Sequence, residues 1–132
     1  MLAGCGIDIE EFSRFQKHLQ DFSNSSFVKL VLSLVEMENF QKFDPSICFP
    51  IAFSCKEAFF KAFGDSWFTS SIDWKDIQII FHDFPKEKKY EIHLSGHAEK
   101  MYQSIKSPEI ISDFDIFPEY VIFEVILRHH ET

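Results

Sequence analysis

The chain opens on an apolar run. Residues 2–9 are hydrophobic apart from glycines and end at Asp8, the pattern of a buried strand. From Glu11 the period changes. Phe12, Phe15, Leu19 and Phe22 recur at helical spacing, and the polar stretch from Asp21 to Ser26 interrupts them. A second helical stretch is expected over about residues 26–43. It divides in two, because Ser33 followed by Glu36 has the spacing of a capping box, in which each residue satisfies a backbone N–H at the other's end of the turn. Asp44-Pro45-Ser46 reads as a turn, and a further helix is expected to start after Pro50 and stop at Gly64, a residue suited to a left-handed cap.

A polar loop from Asp65 to Asp73 follows. Ile77–His82 and Tyr90–Leu94 read as the two strands of a hairpin, separated by the charged turn Phe84–Lys89. Ser95-Gly96 opens a helix that Pro108 stops, and Ile110–Phe117 and Tyr120–Leu127 are rich enough in β-branched and aromatic residues to be strands. Strand, helices, hairpin, helix and strands in this order predict a single α+β domain with a largely antiparallel sheet packed against helices.

Composition narrows the class. The chain has 132 residues, 45% of them hydrophobic, which suits one domain with a packed core. Seventeen phenylalanines against two tryptophans make Phe the main large packing unit. Charged residues interrupt every apolar run before it could span a bilayer, so no membrane segment and no secretory signal are expected. Cys5, Cys48 and Cys55 are odd in number and show no paired spacing, which points to a reducing, cytoplasmic setting with Cys5 and Cys55 as small apolar residues. The net charge of −8 has no basic run to offset it, which argues against a nucleic-acid partner.

Two short segments carry the candidate chemistry. In Gly6-Ile7-Asp8-Ile9-Glu10 the carboxylates of Asp8 and Glu10 alternate onto one face of the strand, with Ile7 and Ile9 on the other. Without a partner such an acidic face belongs in water. In Lys56-Glu57-Ala58-Phe59-Phe60-Lys61-Ala62-Phe63-Gly64, Glu57 and Lys61 are four apart and share one helix face, with Lys56 one position round and Phe53, Phe60 and Phe63 able to face the core. A lone Glu–Lys pair at this spacing is an ordinary solvated helix pair worth about 0.2–0.5 kcal/mol. Brought beside Asp8 and Glu10, it becomes a site for a hard divalent cation and a phosphate chain. Mg²⁺ takes oxygen ligands from one or two carboxylates plus substrate phosphates, and a lysine balances the phosphate charge. His93 and His97 straddle a strand-to-helix junction, so a transition-metal site is not expected there.

These segments also carry a resemblance. Gly6-Ile7-Asp8-Ile9 with Glu11 and Arg14, followed by Phe53, Lys56-Glu57-Ala58 and Lys61-Ala62-Phe63-Gly64, resembles the 4′-phosphopantetheinyl transferases, most closely the short holo-[acyl-carrier-protein] synthase type. Val31-Leu32-Ser33 before Glu36, and Trp74-Lys75-Asp76-Ile77-Gln78-Ile79, resemble weaker landmarks of the same family. The resemblance implies that the phosphopantetheine arm of coenzyme A moves to a serine of an apo acyl carrier protein, with Mg²⁺ as cofactor and adenosine 3′,5′-bisphosphate as by-product. It implies Asp8 and Glu57 on the metal and Glu10 as a third ligand. Glu57 would help remove the serine proton, with Asp8, Glu57 and Lys61 the catalytic set. Lys56, Lys61 and Gly64 would lie against coenzyme A, and Arg14 and Lys17 would dock the carrier. It also implies a cytoplasmic homotrimer with coenzyme A bound between neighbouring subunits.

The chain departs from the family pattern at four places. Ala52 stands where an arginine is usual, and Gly64-Asp65-Ser66-Trp67 replaces a small glycine-containing loop. Lys86-Glu87-Lys88-Lys89 replaces a Gly-Lys-Pro turn, and the segment Ser112-Asp113-Phe114-Asp115-Ile116 lacks a usual histidine. Ala52 and Asp65 motivate an alternative, a non-catalytic relative that binds a carrier protein or nucleotide without turnover.

Overall fold

The computed structural model describes residues 1–64 and 71–130. Strand β1 (Leu2–Glu11) leads through a short 3₁₀ turn into α1 (Gln16–Leu19), α2 (Ser26–Val31) and α3 (Leu34–Gln41). The long helix α4 (Pro45–Phe63) comes next, then β2 (Ile77–His82), β3 (Lys89–Leu94), α5 (Gly96–Ser104), β4 (Glu109–Ile116) and β5 (Tyr120–Arg128). This is the expected α+β fold, and every strand pairing is antiparallel. The strands form two sheets: β1-β5-β4, and the hairpin β2-β3. Tyr90 on β3 joins them, its hydroxyl 2.8 Å from Ser112 Oγ on β4 and its ring 6.0 Å from that of Phe123 on β5.

Helix α4 starts six residues before the expected position, at Pro45 rather than after Pro50. Asp44 caps it, accepting from Ser46 N–H at 3.0 Å, and Pro45 occupies the first turn, where the N–H it lacks has no helical partner anyway. Pro50 lies inside the helix and removes only the bond to the Ser46 carbonyl. The end is as expected: Gly64 adopts φ +76°, a left-handed conformation that favours glycine. The helix is apolar on most sides because it is surrounded, with β1 and β5 on one flank and α1, α3 and β2 on others. Phe59 and Phe60 are buried outright, while Phe63 is only half-buried.

Phenylalanines lock the layers together. Phe15, Phe27, Phe49 and Phe53 interlock with centroid separations of 5.2–6.5 Å and hold the helices after β1 against α4. Phe81, Phe84, Phe114 and Phe123 tie the hairpin to the larger sheet.

Glycine spacing sets how close β1 comes to α4. A Cβ on Gly4 would stand 1.9 Å from the Ala62 carbonyl oxygen, and one on Gly6 would stand 2.0 Å from that of Ala58. Only glycine permits this backbone-to-backbone approach. It lays the end of β1 along the helix turn that carries Glu57 and Lys61.

Candidate functional site

The acidic face of β1 points inward. Asp8 and Glu10 are 6% and 7% exposed, whereas Ile7 and Ile9 are 56% and 58% exposed. An isolated strand end would do the reverse. The contact with α4 decides it, because α4 supplies polar partners to the buried face: Ser54 Oγ donates to the Asp8 carbonyl at 3.0 Å, and Lys61 Nζ donates to Asp8 Oδ1 at 3.0 Å and to the Ile7 carbonyl at 2.9 Å. Ser54 has no outstanding sequence signal. Gly4 and Gly6 do have one, since glycines inside a strand mark a close backbone approach.

Two features make this pocket chemically unsettled. Asp8 Oδ2 is buried and has no hydrogen-bond partner among the described residues. A buried unpaired carboxylate oxygen is costly and asks for a ligand. Beside it, burial pushes the Glu10 carboxyl up to about 7. The Asp8 charge adds to the shift, as does a hydrogen bond between the two carboxyls when Glu10 is protonated, so Asp8 Oδ2 lacks a partner only when both are ionised; Arg14, whose Nη1 donates to Glu10 Oε2 at 2.7 Å, opposes the shift. Two carboxylates in one dry place, each with a cation on its outer side, leave room for more positive charge between them.

The Glu10 shift has a sign that can be tested in metal-free protein. Folded Glu10 holds its proton to about 7, while the unfolded chain releases it near the ordinary 4.5. Between these values the native state binds more protons, so stability falls as pH rises and levels off above about 7. In chelator-treated protein, the melting temperature of wild type relative to Glu10→Gln should fall as pH rises across that window. A flat difference would mean that Glu10 is ionised freely in the native state.

Glu57, half-buried, lies on α4 one turn before Lys61, the residue that bonds Asp8. Among the described residues no three acidic, histidine or cysteine side chains are already gathered around a point that could hold a metal ion. The expected ligands stand apart in this respect: Asp8 and Glu10 lie on β1 and Glu57 on the adjoining helix, with Lys61 bonded to Asp8. Gly64 closes the helix, with no described residue within 4 Å of where its side chain would be.

Lys56 lies elsewhere, and its expected place against phosphates is corrected. Its ammonium is fully buried on another side of α4, donating to Glu36 Oε1 at 2.9 Å, to the Trp74 carbonyl at 2.9 Å and to the Ile77 carbonyl. Burial pulls the ammonium pKa down, and Glu36 opposes the shift. Glu36 also accepts from Ser33 N–H and from Ile79 N–H, both at 3.1 Å. The capping box, the Lys-Glu-Ala motif and the segment Trp74–Ile79 thus meet at one buried ion pair, which orients the helix that carries Glu57.

Arg14 and Lys17 are both exposed on the segment after β1. Ala52 is fully buried, while Asp65 lies outside the described residues. Cys48 and Cys55 are buried free thiols whose pKa values are raised by burial, but Cys5 is exposed on the outer face of the sheet rather than packed as a core residue. No helix among the described residues is long and apolar enough to cross a membrane.

Comparison with known proteins identifies the family and the fold. A family model described as the 4′-phosphopantetheinyl transferase superfamily matches residues 4–121. The holo-[acyl-carrier-protein] synthase of Chloroherpeton thalassium is 31% identical over 124 residues, covering 93% of this chain and 95% of that protein. The enzyme of the same name from Ligilactobacillus salivarius is 34% identical over 141 aligned positions, covering 97% of this chain and 88% of that protein. Among solved structures, holo-[acyl-carrier-protein] synthase from Neisseria meningitidis superimposes with a TM-score of 0.79 at 22% identity, covering 97% of this chain and 99% of that one. An ACPS–coenzyme A complex from Chronobacterium ammoniagenes gives 0.74 at 20% identity, covering 97% and 98%.

Proposed function

The chain belongs to the 4′-phosphopantetheinyl transferase superfamily, and from that premise we propose that it moves the phosphopantetheine arm of coenzyme A onto a serine hydroxyl of an apo acyl carrier protein, releasing adenosine 3′,5′-bisphosphate. The observation that carries this reading is the buried, unpartnered Oδ2 of Asp8 beside Glu10, on a strand held against the Glu57 turn by Gly4 and Gly6.

The donor set fits Mg²⁺ in kind: hard carboxylate oxygens, one of them lacking a partner. Asp8 and Glu57 would hold the ion and Glu10 would be a third ligand. Held by these residues, the ion would supply charge neutralisation for the pyrophosphate of coenzyme A as its phosphoanhydride bond breaks. The side chains have separate tasks. Glu57 takes up the proton of the incoming serine hydroxyl, directly or through a water. Lys61, half-exposed at the rim, turns from Asp8 to the phosphates and balances the charge that builds on the departing 3′,5′-bisphosphate. Gly64 would lie against coenzyme A. Arg14 and Lys17 present positive charge to the acidic carrier. The protein forms no covalent intermediate, since positioning and charge neutralisation suffice for such a transfer.

Glu57→Gln keeps the shape of the side chain and removes its charge and basicity. It should lower release of adenosine 3′,5′-bisphosphate at least roughly a hundredfold, the range assigned to a positioned acid–base group, while Glu10→Gln weakens Mg²⁺ dependence less. Nucleotide release followed by chromatography reads both. Wild-type turnover in Glu57→Gln, or a larger loss in Glu10→Gln, would reverse the assignment.

The outer face of the β1-β5-β4 sheet supports self-association. Ile7 and Ile9 on β1 and Ile111 on β4 are exposed on that face. Exposed apolar side chains on one sheet face, here flanked by Glu124 and Asp113, mark an interface. We read it as the contact of a homotrimer that places coenzyme A between subunits. Ile7→Asp with Ile9→Asp should give a folded monomer by light scattering, with transfer sharply reduced. A trimer that survives both changes would contradict the assignment. A cytoplasmic location, where thiols such as Cys48 and Cys55 stay reduced and coenzyme A is at hand, and a role in preparing carriers for acyl-chain synthesis complete the proposal.

A further inference from the structure

Arg14 is expected at the carrier-docking surface, yet its guanidinium is already engaged. Nη1 donates to Glu10 Oε2 at 2.7 Å, and the guanidinium carbon lies 5.2 Å from the ring centroid of Phe53 on α4 and 5.5 Å from that of Phe15. The stem and planar head rest on two buried aromatic faces, while 57% of the side chain stays open to solvent. Glu10 itself is buried. One end of the contact is therefore sealed and the other is reachable from outside.

The arrangement around Asp8 is parallel. Lys61 Nζ sits on Asp8 Oδ1, and the Lys61 side chain is 51% exposed. Each strand carboxylate is thus held from its outer side by one half-exposed cation. No third acidic side chain closes on them to make a ready metal cluster among the described residues.

We propose that Arg14 is a positioning residue that occupies Glu10 in the metal-free protein, and that an anionic partner surface engaging the exposed side of Arg14 releases Glu10 toward the divalent cation. This rests on the transferase reading and adds to it a coupling between partner docking and completion of the metal site. Glu10 accepts from Arg14 through Oε2. A partner carboxylate that draws the guanidinium outward removes that competitor without moving the strand. The coupling is reciprocal by linkage: the cation must strengthen partner binding by the same factor that the partner strengthens cation binding.

The test uses Mn²⁺ titrated into the full chain in the presence of coenzyme A, with free Mn²⁺ read by electron paramagnetic resonance. Arg14→Gln and Arg14→Met should bind Mn²⁺ about fivefold or more tightly than wild type, the lower range of a coupling between two sites. Arg14→Lys, which can still reach Glu10 with one donor, should return toward the wild-type value. In a Glu10→Gln background the Arg14 change should have almost no effect, because the residue it acts through is gone.

A carrier whose acceptor serine is replaced by alanine should tighten Mn²⁺ binding to wild type and leave Arg14→Met unchanged. Binding no tighter in either Arg14 variant overturns the proposal. So does an equal gain in the Glu10→Gln background, which would be a general field effect. Wild-type Mn²⁺ binding that is absent, or indifferent to Asp8→Asn, overturns the metal reading and this inference with it. Wild-type binding that responds to Asp8→Asn but not to Arg14 overturns this inference alone.

Discussion

Asp8→Asn is expected to abolish transfer and, in the metal-free protein, to raise the melting temperature. The two effects have one cause. Asp8 brings a charge into a buried position where one oxygen has no partner and Glu10 lies beside it. An asparagine keeps an acceptor for the Lys61 ammonium, now 3.0 Å from Oδ1, and offers an amide that can donate to Glu10. Above about pH 7, where Glu10 is ionised, carboxylate repulsion becomes attraction, worth about 1 kcal/mol or more for a buried hydrogen bond. The same change removes a hard anionic ligand, so turnover should fall by roughly a hundredfold or more, as for other groups that stabilise charge in the transition state. Thermal melts in chelator and carrier modification with Mg²⁺ check the two halves. A variant that is less stable without metal and still active would show that Asp8 is structural.

The second large effect concerns Lys56. Lys56→Met fills similar volume but leaves Glu36 buried without its cation, and the carbonyls of Trp74 and Ile77 lose a donor. Breaking a buried ion pair from one side costs about 3–5 kcal/mol. Against a typical total of about 5–15 kcal/mol, this brings the fold near its limit. Urea unfolding should show the loss. Glu36→Gln added to Lys56→Met should recover part of it, because the stranded charge is gone while the single amide oxygen still accepts from one of the two backbone N–H groups, of Ser33 or Ile79, that Glu36 serves. Loss of transfer with unchanged unfolding would return Lys56 to the phosphates and contradict its assignment here.

The contrast between Lys56 and Lys61 shows where sequence reading ran out. Both lie on one helix, and the family resemblance placed both against coenzyme A. What separates them is a residue twenty positions earlier. Glu36 was legible as half of a capping box, since Ser33 and Glu36 are local, but its second oxygen reaches Ile79 and its first reaches Lys56 through tertiary packing.

Local signals did well elsewhere: the Gly64 cap, the β2-β3 hairpin and the β-branched run of β5 all follow from neighbouring residues. They misplaced the start of α4, because Pro45 and Pro50 both read as breaks although Asp44 and Pro45 form a good N-terminus. They showed that Asp8 and Glu10 share a face but not that this face is the buried one. That depends on Gly4 and Gly6 admitting α4, which turns the isoleucines outward.

The most direct measurement is the intact mass of an apo acyl carrier protein after incubation with coenzyme A, Mg²⁺ and this protein. The account predicts a gain of one phosphopantetheine unit on the carrier with wild type, lost with chelator and lost with Asp8→Asn in folded protein. No gain with several folded carriers, or a gain that survives Asp8→Asn, would contradict it.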